Sequence, residues 1–238
     1  MLSVSMIDVQ RRIAAACARA GRPAPDVAII GVTKTVSVDR IVDAVVVGLR
    51  QFGENRVQEA VVKIRQLREQ GQMQHHVLQW HMIGTLQRNK VRQAVELFDL
   101  IHSIDSAALA EEVNRQAERI GKRQSVLIQV NVTGEKTKHG VSLDAVEPLV
   151  QVINRLSSLS GQGFMTMAPL DAASELVRES FHQLRVLRDL ICGGKVLPGH
   201  PWAQLSMGMS DDFELAIEEG ATMVRIGRAL FGERGVNP

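Results

Sequence analysis

Short apolar runs alternate with longer amphipathic stretches along nearly the whole chain, and this alternation narrows the fold more than any other feature. Eight runs read as strands: Val27–Lys34, Leu49–Glu54, Gln79–Gly84, Leu100–Ile104, Ser125–Asn131, Gly163–Met167, Gln204–Met209 and Met223–Gly227. The first, "VAIIGV", is rich in β-branched residues, as a strand buried on both faces is. Helical patterns follow the strands, among them Asn55–Gln70, Ser106–Ile120, Leu143–Leu156 and Ala172–Cys192. Strict βα alternation implies a parallel sheet with right-handed crossovers. Eight such units after one leading helix predict a single (β/α)8 TIM barrel, one domain over residues 1–238. A doubly wound sheet would use fewer strands and show a glycine-rich first turn. Here that turn is Thr33-Lys34-Thr35-Val36-Ser37. The leading "DVQRRIAAACARAG" reads as a structural helix stopped by Gly21, and Asp8 argues against a basic presequence.

Formal net charge is +2, with charges interspersed along the helices, which does not suggest a nucleic-acid protein. Two cysteines, Cys17 and Cys192, make a disulfide framework or a cysteine zinc site unexpected and fit a reducing cytoplasm. No apolar run approaches the ~20 residues a membrane span needs.

Sites of such barrels lie at the C-terminal strand ends. Lys34 stands at the end of strand 1. A partly desolvated amine there has the nucleophilicity that Schiff-base chemistry requires, although a lysine snorkelling out of the mouth would look the same. Gly53, Glu54 and Asn55 close strand 2, where Asn55 is also a reasonable helix N-cap. Trp80 and His81 point to opposite faces of strand 3, so His81 either touches a bound group or is a satisfied core histidine. Lys136, Lys138 and His139 after strand 5 read as a solvated face, and the adjacent His75 and His76 point apart, against a shared metal.

The last two strand ends are rich in serine and glycine. Ser206, Gly208 and Ser210 surround strand 7, and Gly227 leads straight into the helical "RALF". Loops after strands 7 and 8, with a short helix, frequently hold phosphate in these barrels. Ser210 is an expected N-cap for "DDFELAIEEG". Arg225 is a charge inside the buried run "MVRIG" and needs a partner, either a ligand or an acidic core residue. An amine from strand 1 and a phosphate cradle from strands 7 and 8 are neighbours in a closed barrel. One ligand carries both an aldehyde and a phosphate: pyridoxal 5′-phosphate (PLP).

The ordered motifs "VTKT", "FGENRVQE", "WHMIGTLQRNK", "HSID", "GFMTM", "LSMGMSDDFELAI" and "MVRIGRALFG" together resemble the YggS/PROSC-type pyridoxal phosphate homeostasis proteins, from the first helix to Gly232. The resemblance implies a single barrel of the fold-type III PLP class, similar to the N-terminal domain of alanine racemase. It further implies that Lys34 carries the cofactor as a Schiff base. Ser206 and the backbone at Gly227 and Arg228 would hold the phosphate, and Arg225 would face the pyridine nitrogen. Asn55, His81 and Met165 would line the ring pocket. Many members carry a small hydroxyl residue where this chain has Arg228, whose guanidinium either adds charge at the phosphate or points to solvent.

An arginine cannot share a proton with a pyridine nitrogen as a carboxylate does, so the cofactor would be a poorer electron sink. Racemisation also needs an acid/base on the opposite ring face. In the related alanine racemases that group is a tyrosine from a second domain of the partner subunit, and this sequence has no tyrosine. Three readings follow. The first is a cytoplasmic PLP carrier or regulator, monomeric and serving apo PLP-dependent enzymes. The second is a racemase-like PLP enzyme using His81 as second base. The third is a Schiff-base aldolase for a sugar phosphate, without PLP.

Overall fold

The computed structural model describes residues 2–69, 77–135, 138–193 and 201–232. All eight expected strands form: β1 Ala28–Val32, β2 Gln51–Glu54, β3 Gln79–Met82, β4 Leu100–Ile104, β5 Gln124–Gln129, β6 Leu159–Met165, β7 Gln204–Ser206 and β8 Met223–Ile226. Each pairs in parallel with the next, and β8 pairs with β1 to close the barrel. Ile30 of β1 stands opposite Gln51 on one side and Arg225 on the other. Closure leaves no strand edge unpaired.

The helices are α1 Leu2–Arg19, α2 Val38–Val46, α3 Val57–Glu69, α4 Val91–Leu97, α5 Ala107–Arg119, α6 Val146–Arg155, α7 Ser174–Ile191, α8 Phe213–Glu218 and α9 Arg228–Phe231. Helix α1 buries Met6, Val9, Ile13, Ala16 and Cys17 along one stripe, the spacing of an amphipathic helix. It lies against α8, where Arg12 pairs with Glu214 at 2.9 Å and stacks 4.5 Å from the Phe213 ring centroid. Arg19 pairs with Glu218 at 2.6 Å, and the helix ends at the Gly21 turn. The leading helix is therefore structural, as its sequence predicts.

Most expected strands overrun at their C-terminal ends, because the chain there leaves the sheet to build the mouth. Strand β6 differs at both ends: it stops at Met165, not Met167, and begins at Leu159, not Gly163. Its "SGQG" composition reads as loop, yet Gly163 is a strand glycine: a Cβ there would lie 1.9 Å from the Gln204 carbonyl oxygen. Phe52, Ile101, Ile128, Phe164 and Ile226 fill the layer between sheet and helices, while Leu100, Leu127 and Met165 form a separate buried cluster.

Candidate functional site

Alternate strand residues face the barrel interior or the helices. On β3 Trp80 packs toward the helices against Phe52, ring centroids 5.3 Å apart, and His81 turns inward. His81 Nδ1 lies 2.9 Å from His102 Nε2, and His102 Nδ1 lies 2.9 Å from Ser206 Oγ. Arg225 donates to Ser206 Oγ at 2.6 Å, to the Ser206 carbonyl at 2.7 Å and to the Thr166 carbonyl at 2.8 Å. All of these residues are buried. One hydrogen-bonded chain thus crosses the interior from β3 through β4 and β7 to β8.

A guanidinium only donates, so Ser206 Oγ accepts from Arg225, and its second lone pair and its own proton both remain to serve His102 Nδ1. A neutral histidine donates through one ring nitrogen and accepts through the other, so the tautomer of His102 sets the direction of the bond to His81. Burial pushes His81 down to about 4. It holds His102 well below the ordinary histidine range, helped by His81 and Arg225. Arg225 is pushed down to about 10 by burial, against the attraction of Asp212. At neutral pH the chain carries one charge, on Arg225. Among the described residues no acidic residue bonds Arg225 directly: its protein partners are two carbonyls and the Ser206 hydroxyl.

Lys34 follows β1 by two residues and is half-buried at the mouth. Among the described residues nothing hydrogen-bonds or ion-pairs its Nζ. Thr35 behind it has φ 63°. Asn55 does not cap a helix, because α3 begins only at Val57, and its buried Oδ1 has no hydrogen-bond partner. Met165 stands opposite Ser206 in the β6–β7 ladder and packs on Leu100 and Leu127.

At the β7 end Gly208 has φ 91°, and a Cβ there would sit 2.9 Å from the Phe213 Cα, so the position requires glycine. Ser210 does not cap α8 as expected. Its Oγ accepts from Ala229 N at 3.2 Å, tying the β7 loop to the start of α9, while Asp212 occupies the α8 cap position. Gly227 has φ −107°, and a Cβ there would meet Val32 Cβ at an ordinary 3.5 Å. Glycine at that position leaves space; the backbone does not demand it. The Arg228 guanidinium bonds both carboxylate oxygens of Asp211 across the loop, which answers where that side chain goes.

Lys138 pairs with Glu135 at 2.8 Å, in keeping with a solvated face. Lys136, His75 and His76 lie outside the described residues. Among the described residues no cluster of histidine, cysteine, aspartate and glutamate has the makings of a metal site. A partnerless amine, an orphaned buried amide oxygen and a buried guanidinium on neighbouring strands fit a ligand with an aldehyde, a ring nitrogen and an anionic tail.

A family model described as alanine racemase, N-terminal domain, matches residues 6–235. The pyridoxal phosphate homeostasis protein of Aquifex aeolicus is 43% identical over 95% of this chain and 95% of its own length. That of Escherichia coli K12 is 40% identical over 97% and 95%. This chain belongs to the pyridoxal phosphate homeostasis protein family. Among solved structures, PipY of Synechococcus elongatus PCC7942 with PLP bound is 34% identical, with a TM-score of 0.83 and coverage of 98% of this chain and 100% of that one. An alanine racemase of Clostridium difficile 630 shares only the fold, at 17% identity and TM-score 0.69, over 99% of this chain and 57% of that one.

Membership agrees with the barrel and with the ordered motifs, and the structure gives roles to residues to which the sequence reading assigns none. His102 lies in the apolar strand "LIHSI", and its signal is the inward alternate position beside Leu100. Glu54, fully buried, accepts from Thr33 Oγ1 at 2.7 Å and from Lys63 Nζ at 2.9 Å. Lys63 also donates to Glu59 at 2.6 Å and to the Thr33 carbonyl at 2.5 Å. Burial raises the Glu54 carboxyl above its ordinary value, opposed by Thr33 and Lys63. Burial works the same way on Glu59, but hydrogen bonds from Lys63 and Thr35 N outweigh it and lower that carboxyl. The available sign of this network is a lysine on the apolar stripe of α3, with Ala60, Ile64 and Leu67.

Proposed function

We propose that this chain binds PLP at the C-terminal mouth of its barrel and serves the handling of that cofactor as a carrier or regulator, without dedicated turnover of amino acids. The observation that carries this reading is a partnerless amine, Lys34, at the end of β1, beside a strand β8 that bears the buried Arg225. The family's name and the PLP bound to PipY support it. When bound, PLP supplies an aldehyde that takes up amines and a ring that withdraws electrons.

Lys34 would hold the aldehyde end. Backbone at Gly227 and Arg228 would hold the phosphate, with Ser206 beneath, its hydroxyl shared between Arg225 and His102. Asn55, His81 and Met165 would line the ring. Arg225, always a donor, would face the ring nitrogen without taking its proton. No tyrosine is present in the 238 residues, and His81, the alternative second base, is bonded to His102. These features favour holding over racemising.

We place the protein in the cytoplasm as a monomeric single domain over residues 1–238, serving apo PLP-dependent enzymes. Cys17 and Cys192 are unpaired, and among the described residues no helix is long and apolar enough to cross a membrane.

Borohydride reduction of the PLP-loaded protein, followed by peptide mass spectrometry, tests the site. The pyridoxyl group is expected on Lys34 and absent from Lys34→Ala. Recovery of an added apo-enzyme's activity on mixing with the loaded, unreduced protein tests the carrier role. Racemisation of alanine at roughly 1 s⁻¹ or faster would instead establish an enzyme.

A further inference from the structure

The loop that presents Lys34 is held from behind, on the helix side of the sheet. Lys63 of α3 has its three N–H groups matched by three acceptors: the Thr33 carbonyl at 2.5 Å, Glu54 Oε1 at 2.9 Å and Glu59 Oε1 at 2.6 Å. Glu59 Oε1 also accepts from the Thr35 backbone N–H at 2.6 Å. The peptide groups on both sides of Lys34 are therefore tied to one helix turn, through residues four apart on α3. Just after them Thr35 adopts φ 63°, in a turn closed by a hydrogen bond from the Val36 N–H to the same Thr33 carbonyl at 2.9 Å, a left-handed conformation that a β-branched residue avoids unless its surroundings impose it. Lys34 itself is left out of the network, its amine without a partner among the described residues.

We propose that Lys63 and Glu59 are positioning residues for Lys34: together they clamp the Thr33–Thr35 turn and hold Thr35 left-handed, so that the Lys34 amine stands ready at the barrel mouth. This rests on the reading of Lys34 as the amine that takes up PLP. In that step the Lys34 nitrogen forms a C=N bond to the aldehyde carbon, its two protons and the carbonyl oxygen leave as water, and no oxidant or reductant is needed. The clamp reaches Lys34 through the peptides that flank it, so its effect is expected on the formation of this bond. A free Thr35 would relax toward negative φ and turn Lys34 away.

Lys63→Met would leave the buried Glu54 and the part-buried Glu59 close together without a counter-charge and is expected to unfold, so the test uses Glu59. Four full-length proteins are compared: wild type, Glu59→Gln, Glu59→Ala and Glu59→Ala with Thr35→Gly. Two readouts are taken on each, with circular dichroism as the check of folding. One is the rate of borohydride-trapped pyridoxyl labelling of Lys34. The other is calorimetric affinity for pyridoxine 5′-phosphate, which has the ring and phosphate but an alcohol for the aldehyde. Glu59→Ala is expected to label about tenfold more slowly, the scale of one left-handed residue, with pyridoxine phosphate affinity unchanged. Glu59→Gln, whose amide oxygen still accepts from Thr35 N–H, is expected to keep most of the rate. Glycine at position 35 needs no clamp to adopt positive φ and is expected to restore the rate in the Glu59→Ala background. Wild-type labelling in Glu59→Ala, no recovery with Thr35→Gly, or a parallel fall in pyridoxine phosphate affinity overturns the clamp. No label on Lys34 in the wild type overturns the assignment of the lysine and the clamp's purpose with it.

Discussion

Two buried polar networks flank the barrel mouth, and they handle charge in opposite ways. Inside the barrel, Arg225 hydrogen-bonds only neutral groups, two carbonyls, the Ser206 hydroxyl and, through it, two histidines that burial keeps uncharged, while Asp212 acts on it without a direct bond. Its positive charge is solvated by dipoles but not cancelled, so it remains available to an electron-rich ligand atom. Behind the sheet, Lys63 meets carboxyl groups directly at 2.9 and 2.6 Å. That network cancels its charge internally and offers nothing to a ligand. The inner network is electrostatic in purpose and the outer one mechanical. Substitutions should separate them by what they disturb.

The largest effect is expected at Arg225. Arg225→Glu sets a carboxylate against two carbonyl oxygens in a buried site and should prevent folding. Arg225→Met keeps the bulk but strands those carbonyls, a loss of about 3 kcal/mol in urea unfolding. The folded Met variant should also hold PLP less tightly while still accepting a borohydride-trapped label on Lys34 at saturating PLP, because the outer network is intact. A Met variant that binds PLP as the wild type does would make the inner network structural only.

A middle-sized effect concerns pH. Unfolded histidines take up protons near pH 6.5, whereas folded His81 does so only near pH 4. Between those values the unfolded chain binds more protons, so stability falls as pH falls. The expected loss between pH 7.5 and pH 5 is about 2 kcal/mol from His81, with a further contribution from His102. Asn at position 81 offers both an amide oxygen and an amide N–H where Nδ1 meets His102, without titrating in this range. His81→Asn should therefore flatten the slope of urea midpoints against pH without abolishing folding. An unchanged slope would mean that His81 titrates alike in the folded and the unfolded chain.

The strands and the helix order were legible because both depend on local apolar periodicity, which a barrel buried on two faces preserves in every unit. Strand ends were less legible, since Thr33, Lys34 and Met209 leave the sheet for reasons of turn geometry and long-range hydrogen bonding. Ser210 shows the limit well. It precedes α8 in sequence and reads as that helix's cap, yet its hydroxyl serves a helix 19 residues away. The inner chain was half legible. His81, Ser206 and Arg225 stand at strand positions where polar groups draw attention, whereas His102, although it opens the motif "HSID", draws none because the run before it is apolar. Lys63 was invisible because its three acceptors come from β2, from α3 itself and from the turn after β1, a convergence only the folded chain creates.

The smallest effect is expected at Arg228, which belongs to neither network. Its guanidinium is half-exposed and pairs with Asp211, which is more exposed still. Ion pairs of this kind are screened and lose side-chain entropy, so they contribute about 0–1 kcal/mol. Arg228→Ala should shift the urea midpoint by no more than that. Its consequence for a phosphate is indirect. The side chain is occupied with a carboxylate, so only the backbone N–H at the start of α9 is left to face an anion, and an alanine keeps that group. PLP affinity of Arg228→Ala should stay close to that of the wild type at moderate salt, and the salt dependence of binding should be nearly the same for both. Removing the guanidinium while leaving Asp211 exposes an uncompensated negative charge nearby, so any change at low salt should be a weakening. Asp211→Ala supplies the opposite case: it removes a negative charge from beside the proposed phosphate loop, and binding should tighten at low salt. If Arg228→Ala instead weakened PLP binding strongly at all salt concentrations, the guanidinium would belong to the phosphate site, and the mouth would hold a second cation besides Arg225.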